Sequence, residues 1–173
     1  LNLFAYTGGA TMACASAGAA EVVHVDASKG MVNWAKENMM LSHLENHKIR
    51  FIVDDVLKFV AREKRRGRTY HAIIMDPPSY GRGPNGEIWK IEEQLYPLIS
   101  ACMEILDDDP LFFLVNSYTT GFPPTVLYNL LRTTVGKKHC NGAIAAGEIG
   151  LPITTGDSVL PCGIYGKWVR DNK

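Results

Sequence analysis

The chain has 173 residues, 46% of them hydrophobic and 21% charged, a balance that suits one soluble domain (1–173) with a substantial core. No apolar stretch approaches the roughly 20 residues that a bilayer crossing needs, and no charged segment leads into a short apolar one; no membrane partner is expected, and a cytoplasmic location is. Eighteen basic and eighteen acidic residues give a formal net charge of zero, which excludes the global positive field of a protein that grips nucleic acid unaided.

Short runs rich in β-branched and aromatic residues alternate with longer stretches of helical period, the pattern of a parallel sheet with helices on both faces. The first strand is predicted over Leu1–Ala5, followed by a helix of small residues over Ala10–Ala17 that allows close packing. A second strand follows over Glu21–Asp26, and then a helix to about Ser42 capped by Ser28, whose hydroxyl can accept from early backbone N–H groups. The third strand is Ile49–Val53. Val56, Phe59 and Val60 give the apolar stripe of the next helix, which ends in Arg62, Lys64, Arg65 and Arg66 before Gly67. Basic residues suit a helix C-terminus, so this cluster reads either as a solvated helix end or as an RNA contact.

A fourth strand spans His71–Asp76, and a helix over Glu92–Leu106 stops at Asp107-Asp108-Asp109-Pro110. The fifth strand is Leu111–Asn116, Pro123 and Pro124 start another helix, and Gly142–Glu148 with Gly163–Val169 form a closing pair. Cys14, Cys102, Cys140 and Cys162 lie in no metal-ligand spacing and read as reduced thiols, so no metal is expected.

In open α/β sheets, ligands bind beyond the carboxyl ends of the strands, where the strand order reverses. The first strand runs into Phe4-Ala5-Tyr6-Thr7-Gly8-Gly9-Ala10, where glycines let the backbone approach a ligand. Asp26 ends the second strand 18 residues after Gly8, near the roughly 20-residue offset at which an acid meets a ribose hydroxyl. The loop does not spell G-x-G-x-x-G, which favours a nucleoside ligand without diphosphate over a dinucleotide. After the third strand, Asp54-Asp55-Val56 offers a carboxylate for an adenine amino group; one acid can cap the next helix while the other binds, and Asp55 is the expected adenine contact.

The fourth strand terminates in Asp76-Pro77-Pro78-Ser79-Tyr80. Two prolines cannot donate to a sheet, so the strand must stop there, which leaves a carboxylate and an aromatic flanking the break unexplained by loop-breaking alone. These segments resemble, in order and spacing, the Rossmann-like class I S-adenosylmethionine-dependent methyltransferases. Within them the chain is similar to the bacterial large-subunit ribosomal RNA base methyltransferases that include 5-methylcytosine and N7-methylguanine enzymes. The likeness rests on Leu3 to Gly9, Val25-Asp26-Ala27-Ser28, Asp54-Asp55-Val56 and Asp76 to Tyr80.

The resemblance implies a seven-stranded, mostly parallel sheet with an antiparallel closing strand. It implies that the Phe4–Gly9 loop wraps the methionine part of S-adenosylmethionine, that Asp26, with Ala27 and Ser28, binds ribose, that Asp55 and Val56 bind adenine, and that Asp76 faces the transferable methyl. It also implies ribosomal RNA as partner and an RNA-binding portion ahead of Leu1.

The 5-methylcytosine members add a cysteine thiolate across the ring, because carbon 5 of cytosine is a poor nucleophile. That cysteine follows the fifth strand, where this chain reads Asn116-Ser117-Tyr118-Thr119-Thr120-Gly121-Phe122, a segment more similar to the N7-guanine branch. Nitrogen chemistry is therefore expected, with Asp76 and the Pro77 carbonyl serving the nucleophile and Pro78, Tyr80 and Asn116 completing the reacting end. Ser79, Tyr80 and Tyr118 are expected to meet the target base, the tyrosines as stacking platforms or merely as packed side chains. Gly81-Arg82-Gly83-Pro84-Asn85-Gly86-Glu87 reads as a lid or an ordinary solvated loop, with Arg82 and Lys90 as candidate phosphate contacts. Two further readings stay open: a protein side chain or small molecule as methyl acceptor, and a non-catalytic scaffold that binds the cofactor.

Overall fold

A computed structural model describes residues 1–83, 86 and 88–171. The chain forms strands β1 (Asn2–Leu3), β2 (Val22–Asp26), β3 (Ile49–Val53), β4 (Ala72–Met75), β5 (Tyr80–Arg82), β6 (Ile88–Lys90), β7 (Phe112–Ser117), β8 (Gly142–Pro152) and β9 (Val159–Arg170). Between them run helices α1 (Gly9–Ser16), α2 (Lys29–Leu41), α3 (Val56–Arg65), α4 (Ile91–Cys102), α5 (Pro124–Thr133) and α6 (Val135–Lys138). Seven strands make one sheet in the order β3-β2-β1-β4-β7-β9-β8, and β5 with β6 makes a separate antiparallel hairpin. The neighbours from β3 to β7 pair in parallel, whereas β9 runs antiparallel to both β7 and β8. This is the expected Rossmann-like α/β sheet with an antiparallel closing strand.

Alternation along the strands divides the core. Val23 and Val25 of β2 join Leu3, Ile73, Met75, Phe113 and Val115 beneath Phe59 of α3, Leu95, Leu98 and Ile99 of α4, and Leu127 and Leu131 of α5. Val22, on the opposite face of β2, packs with Met12 and Ala15 of α1 and with Leu44. Burial of the Val, Leu, Ile, Phe and Met side chains among these stabilises the sheet at about 1.5–3 kcal/mol each relative to exposure.

The first strand is shorter than the expected Leu1–Ala5. Phe4 and Tyr6 take positive φ values of 52° and 48°, which no strand accommodates, so the ladder ends at Leu3 although the Ala5 N–H still reaches the Val25 carbonyl at 3.0 Å. The helix expected over Glu92–Leu106 ends at Cys102 instead, and it contains Pro97. An interior proline costs roughly 3 kcal/mol of helix propensity, but Pro97 lies on the exposed side while Leu95, Leu98 and Ile99 are held in the core, and packing prevails. The caps are as expected: Ser28 accepts from the Met31 N–H, and Pro124 occupies the first turn of α5.

The basic end of α3 is tied to acids. Arg62 pairs with Asp54 at 2.5 Å, Lys64 with Glu104 at 3.0 Å, and Arg66 with the buried Glu63 at 3.0 Å. These pairings favour the helix-end reading of the cluster.

Candidate active site

The strand order reverses between β1 and β4, whose sequence neighbours lie on opposite sides of the sheet. Register then sets the site: Leu3 stands opposite both Val25 and Met75, and Met75 opposite Val115. The next residues, Phe4, Asp26, Asp76 and Asn116, therefore emerge in one row at the carboxyl ends, where an open α/β sheet holds its ligand.

The loop after β1 is held in an unusual shape. Besides Phe4 and Tyr6, Gly8 has φ 87°, and its N–H closes a turn on the Ala5 carbonyl at 2.9 Å. Non-glycine residues in the left-handed region cost energy and persist only where the surroundings over-determine them. Asp26 does much of this: one carboxylate oxygen accepts from the Tyr6 N–H at 2.9 Å and the other from the Ser28 N–H at 2.8 Å. Asn38 of α2 donates to the Thr7 carbonyl at 2.9 Å. Beneath the loop, Asn2 donates to the Thr11 hydroxyl at 2.9 Å, and that oxygen lies 3.0 Å from Nδ1 of the fully buried His24. Burial lowers the His24 pKa to about 4, so this imidazole is neutral near pH 7.

A cavity of about 780 Å³ opens beyond these strand ends. Of the residues expected to bind cofactor, Phe4, Tyr6, Asp26, Ala27, Ser28, Asp55, Val56 and Asp76 line it. Pro77, Pro78, Ser79, Arg82 and Tyr118 line it from the reacting side. A second cavity, of about 740 Å³, lies at the amino ends of the strands around Leu1, Ala72 and Phe112, the wrong end of such a sheet for its ligand.

Several expected residues stand outside the lining. Ala5 is buried, and Thr7 is turned into the Asn38 contact. Gly8 packs against α1 and α2, where a Cβ would meet Met12 Cε at 3.0 Å and Ala35 Cβ at 3.1 Å, while Gly9 opens α1. Asp54 accepts from the Asp55 N–H and pairs with Arg62, so it braces the loop, whereas Asp55 lines the cavity and also caps α3 by accepting from the Lys58 N–H at 3.0 Å. Asn116 is only partly buried and pairs in register with Tyr165. Tyr80 is exposed, its hydroxyl accepting from Arg82 Nε at 3.1 Å, and Lys90 pairs with Glu93 at 2.8 Å.

The expected lid is, in its described part, the β5–β6 hairpin; Pro84, Asn85 and Glu87 lie outside the described residues. The hairpin brings in residues that sequence reasoning missed, Trp89 above all, together with Ile88, and Gln94 joins them from α4. Trp89 is buried, meets Phe4 edge-on at 4.9 Å, and donates its indole N–H to the Pro78 carbonyl at 2.7 Å. The Ser79 and Thr119 hydroxyls lie 2.8 Å apart and join the loop after β4 to the segment after β7. On β9, Gly163 has φ 154° and sits against Tyr118, where a Cβ would meet the ring at 2.7 Å.

Asp76 carries the distinctive electrostatics. Its Oδ1 is buried without a partner, and burial pushes its pKa up to about 6. Burial and the neighbouring Asp76 carboxylate also raise the Tyr118 phenol. Burial pushes Cys102 up to about 12 and raises Cys14, which disqualifies both as thiolate nucleophiles. Among the described residues, no group of three or more His, Cys, Asp or Glu side chains is placed to hold a metal ion. No helix among the described residues is long and apolar enough to cross a membrane.

A family model described as S-adenosylmethionine-dependent methyltransferase matches residues 1–95, more than half of the chain. The ribosomal RNA large subunit methyltransferase K of Neisseria meningitidis serogroup B is 31% identical over 118 residues, 68% of this chain and 33% of that protein. The ribosomal RNA large subunit methyltransferase I of Cronobacter sakazakii is 38% identical over 80 residues, 46% of this chain and 20% of that protein. This chain thus spans a third or less of these curated relatives.

Among solved structures, a SAM-dependent methyltransferase from Agrobacterium tumefaciens superposes with a TM-score of 0.89 at 39% identity, covering 97% of this chain and 54% of that one. The magnesium protoporphyrin IX methyltransferase of Synechocystis PCC 6803, solved with bound SAM, has a TM-score of 0.62 at 17% identity over 98% of this chain and 68% of that one, a likeness of fold alone. The family match over residues 1–95, with the close superposition over 97% of the chain, places the chain among the S-adenosylmethionine-dependent methyltransferases.

Proposed function

We propose that residues 1–173 act as one catalytic domain that methylates a nucleobase of ribosomal RNA at a nitrogen atom. The observation that carries this reading is the Asp76 carboxylate, which stands at the end of β4 with a buried, unpartnered oxygen in the crevice and no cysteine thiolate beside it after β7. The names of the curated relatives support ribosomal RNA as the acceptor.

The residues present suit S-adenosylmethionine. Each oxygen of Asp26 uses one lone pair on a backbone N–H and retains another for a ribose hydroxyl. Asp55 and Val56 line the neighbouring wall for adenine, and an uncompensated carboxylate at Asp76 suits a cationic sulfonium. The cofactor supplies an electrophilic methyl group.

The chain's residues then serve the nucleophile. A ring nitrogen presents its lone pair directly, and an exocyclic amine must shed a proton, for which the Asp76 carboxylate is the acceptor. The Pro77 carbonyl, with no N–H on either proline to compete locally, orients the N–H groups of the base. Tyr118, exposed at the crevice wall, offers a stacking face, and Arg82 at the hairpin offers a charge for the phosphate backbone. Holding nucleophile and methyl in line contributes up to roughly 7–11 kcal/mol in well-oriented systems.

The test is transfer of labelled methyl groups into separated RNA, protein and metabolite fractions, followed by nucleoside mass spectrometry. Label in an N-methylated nucleoside of large-subunit RNA supports the proposal; label confined to protein or metabolites overturns the acceptor. Cofactor binding without turnover on any fraction overturns the enzymatic reading.

A further inference from the structure

The loop after β4 contains four consecutive groups whose directions decide what the crevice presents: the Asp76 carboxylate and the carbonyls of Pro77, Pro78 and Ser79. Neither proline has an N–H, so the loop cannot brace itself through its own backbone donors. Trp89 of the β5–β6 hairpin and the first residue of α4 supply the bracing. The Ile91 N–H takes the Ser79 carbonyl at 3.1 Å, and the Trp89 indole N–H takes the Pro78 carbonyl at 2.7 Å.

With those two acceptors occupied, the Pro77 carbonyl and the Asp76 Oδ1 are left without a described donor. The same indole ring meets Phe4 edge-on at 4.9 Å and an interplanar angle of 60°, and Phe4 is one of the two left-handed residues that open the cofactor loop. Trp89 thus touches both the loop that presents the acceptor's partners and the loop assigned to the cofactor. Gly81 stands opposite Trp89 in the hairpin, where an added Cβ would lie 3.6 Å from Pro78 and 3.8 Å from Trp89, so the three residues are in close packing.

We propose that Trp89 is a positioning residue for methyl transfer: by engaging the Pro78 carbonyl and bracing Phe4, it selects the Pro77 carbonyl and the Asp76 carboxylate as the groups that meet the substrate nitrogen. It rests on methyl transfer occurring in this crevice and not on the acceptor being RNA, so the assay uses whichever fraction the unaltered protein labels. If that fraction is protein, the RNA proposal falls and the Trp89 test proceeds unchanged.

Trp89→Phe keeps an aromatic ring against Phe4 and removes the N–H. It is expected to lower kcat roughly 10- to 100-fold, the scale of a misplacement near 1 Å, while the cofactor dissociation constant stays within about threefold. The thermal midpoint should stay within about 4 °C. The acid limb of the kcat/KM profile should also move toward lower pH, because a loosened loop admits water to Asp76 in the free enzyme and relieves its desolvation. Trp89→Leu, which removes the ring as well, should in addition weaken cofactor binding through Phe4.

An unchanged kcat in Trp89→Phe would overturn the proposal. So would a kcat loss matched by equal losses of cofactor affinity and thermal stability with no shift of the pH limb, since that pattern belongs to a packing residue.

Discussion

Replacing Asp76 by Asn should make the protein more stable and less active at once. Burial moves the Asp76 pKa from 3.8 to about 6, which corresponds to about 3 kcal/mol of unfavourable free energy in the charged folded state before screening. The crevice is open to water on one side, so roughly 1–2 kcal/mol is the expected penalty after discounting. The sign follows from proton counting. Between pH 3.8 and about 6 the folded state holds a proton that the unfolded state has released, so stability falls as pH rises through that window, and the penalty is complete above it.

Asparagine carries no charge and escapes the penalty. The Asp76→Asn protein should therefore melt about 2–8 °C above the parent at pH 7.5, and within about 1 °C of it below pH 3.8, where both side chains are neutral. Its kcat should fall by about 10²- to 10⁴-fold if the carboxylate accepts a proton from the nucleophile. Scanning calorimetry from pH 3.5 to 8 alongside single-turnover methyl transfer measures both. A destabilised variant, or a gain of the same size at every pH, would refute the desolvation argument; an active variant would refute the proton-acceptor role.

Other outcomes follow from the same geometry. The kcat/KM of the parent protein, which reports the free enzyme, should rise with pH around a midpoint near 6 and stay level above it, as Asp76 loses its proton, and a pH–rate profile checks this. Asp26→Ala leaves the Tyr6 and Ser28 N–H groups without their acceptor and should weaken S-adenosylmethionine binding by about 10- to 100-fold in calorimetric titration. Gly8→Ala forces a Cβ into the left-handed region against Met12 and Ala35 and should cost about 1–3 kcal/mol by denaturant unfolding. Glu63→Ala removes the buried acceptor of the Tyr70 hydroxyl and of Arg66, for a loss of about 2–3 kcal/mol at pH 7. Tyr70 and Arg66 hold the Glu63 carboxyl below its ordinary value against the opposing effect of burial, so that loss should shrink as the pH falls through its range.

Much of the sheet was legible because its strands are short β-branched runs ending in residues that cannot continue them. Asp26 and Asp76 could be read as site residues for the same reason: Asp26 closes a buried strand and Asp76 directly follows one, and parallel register brings such residues level. The left-handed turn at Phe4 and Tyr6 was not legible, since neither residue type favours that conformation and the Asp26 carboxylate that stabilises it lies 20 residues on. The division of labour between Asp54 and Asp55 depended on Arg62, two turns along α3, reaching back to Asp54.

Trp89 escaped notice because three-residue strands give too little alternation to reveal a hairpin, and glycine-rich sequence around it reads as open loop. An apolar residue flanked by Ile88 and Lys90, placed shortly after a double proline, was the available signal. Asn38 and His24 were invisible for a related reason: an asparagine in α2 and a histidine in β2 carry no motif, and their roles arise only from what the fold sets beside them.

Methyl transfer to a nitrogen of a ribosomal RNA base served by Asp76 can be followed by nucleoside mass spectrometry of ribosomal RNA incubated with labelled S-adenosylmethionine and either the parent protein or Asp76→Asn. A labelled N-methyl nucleoside with the parent protein and its near absence with Asp76→Asn is the expected result. Label in 5-methylcytosine, or in the same N-methyl nucleoside at equal rate with both proteins, would contradict it.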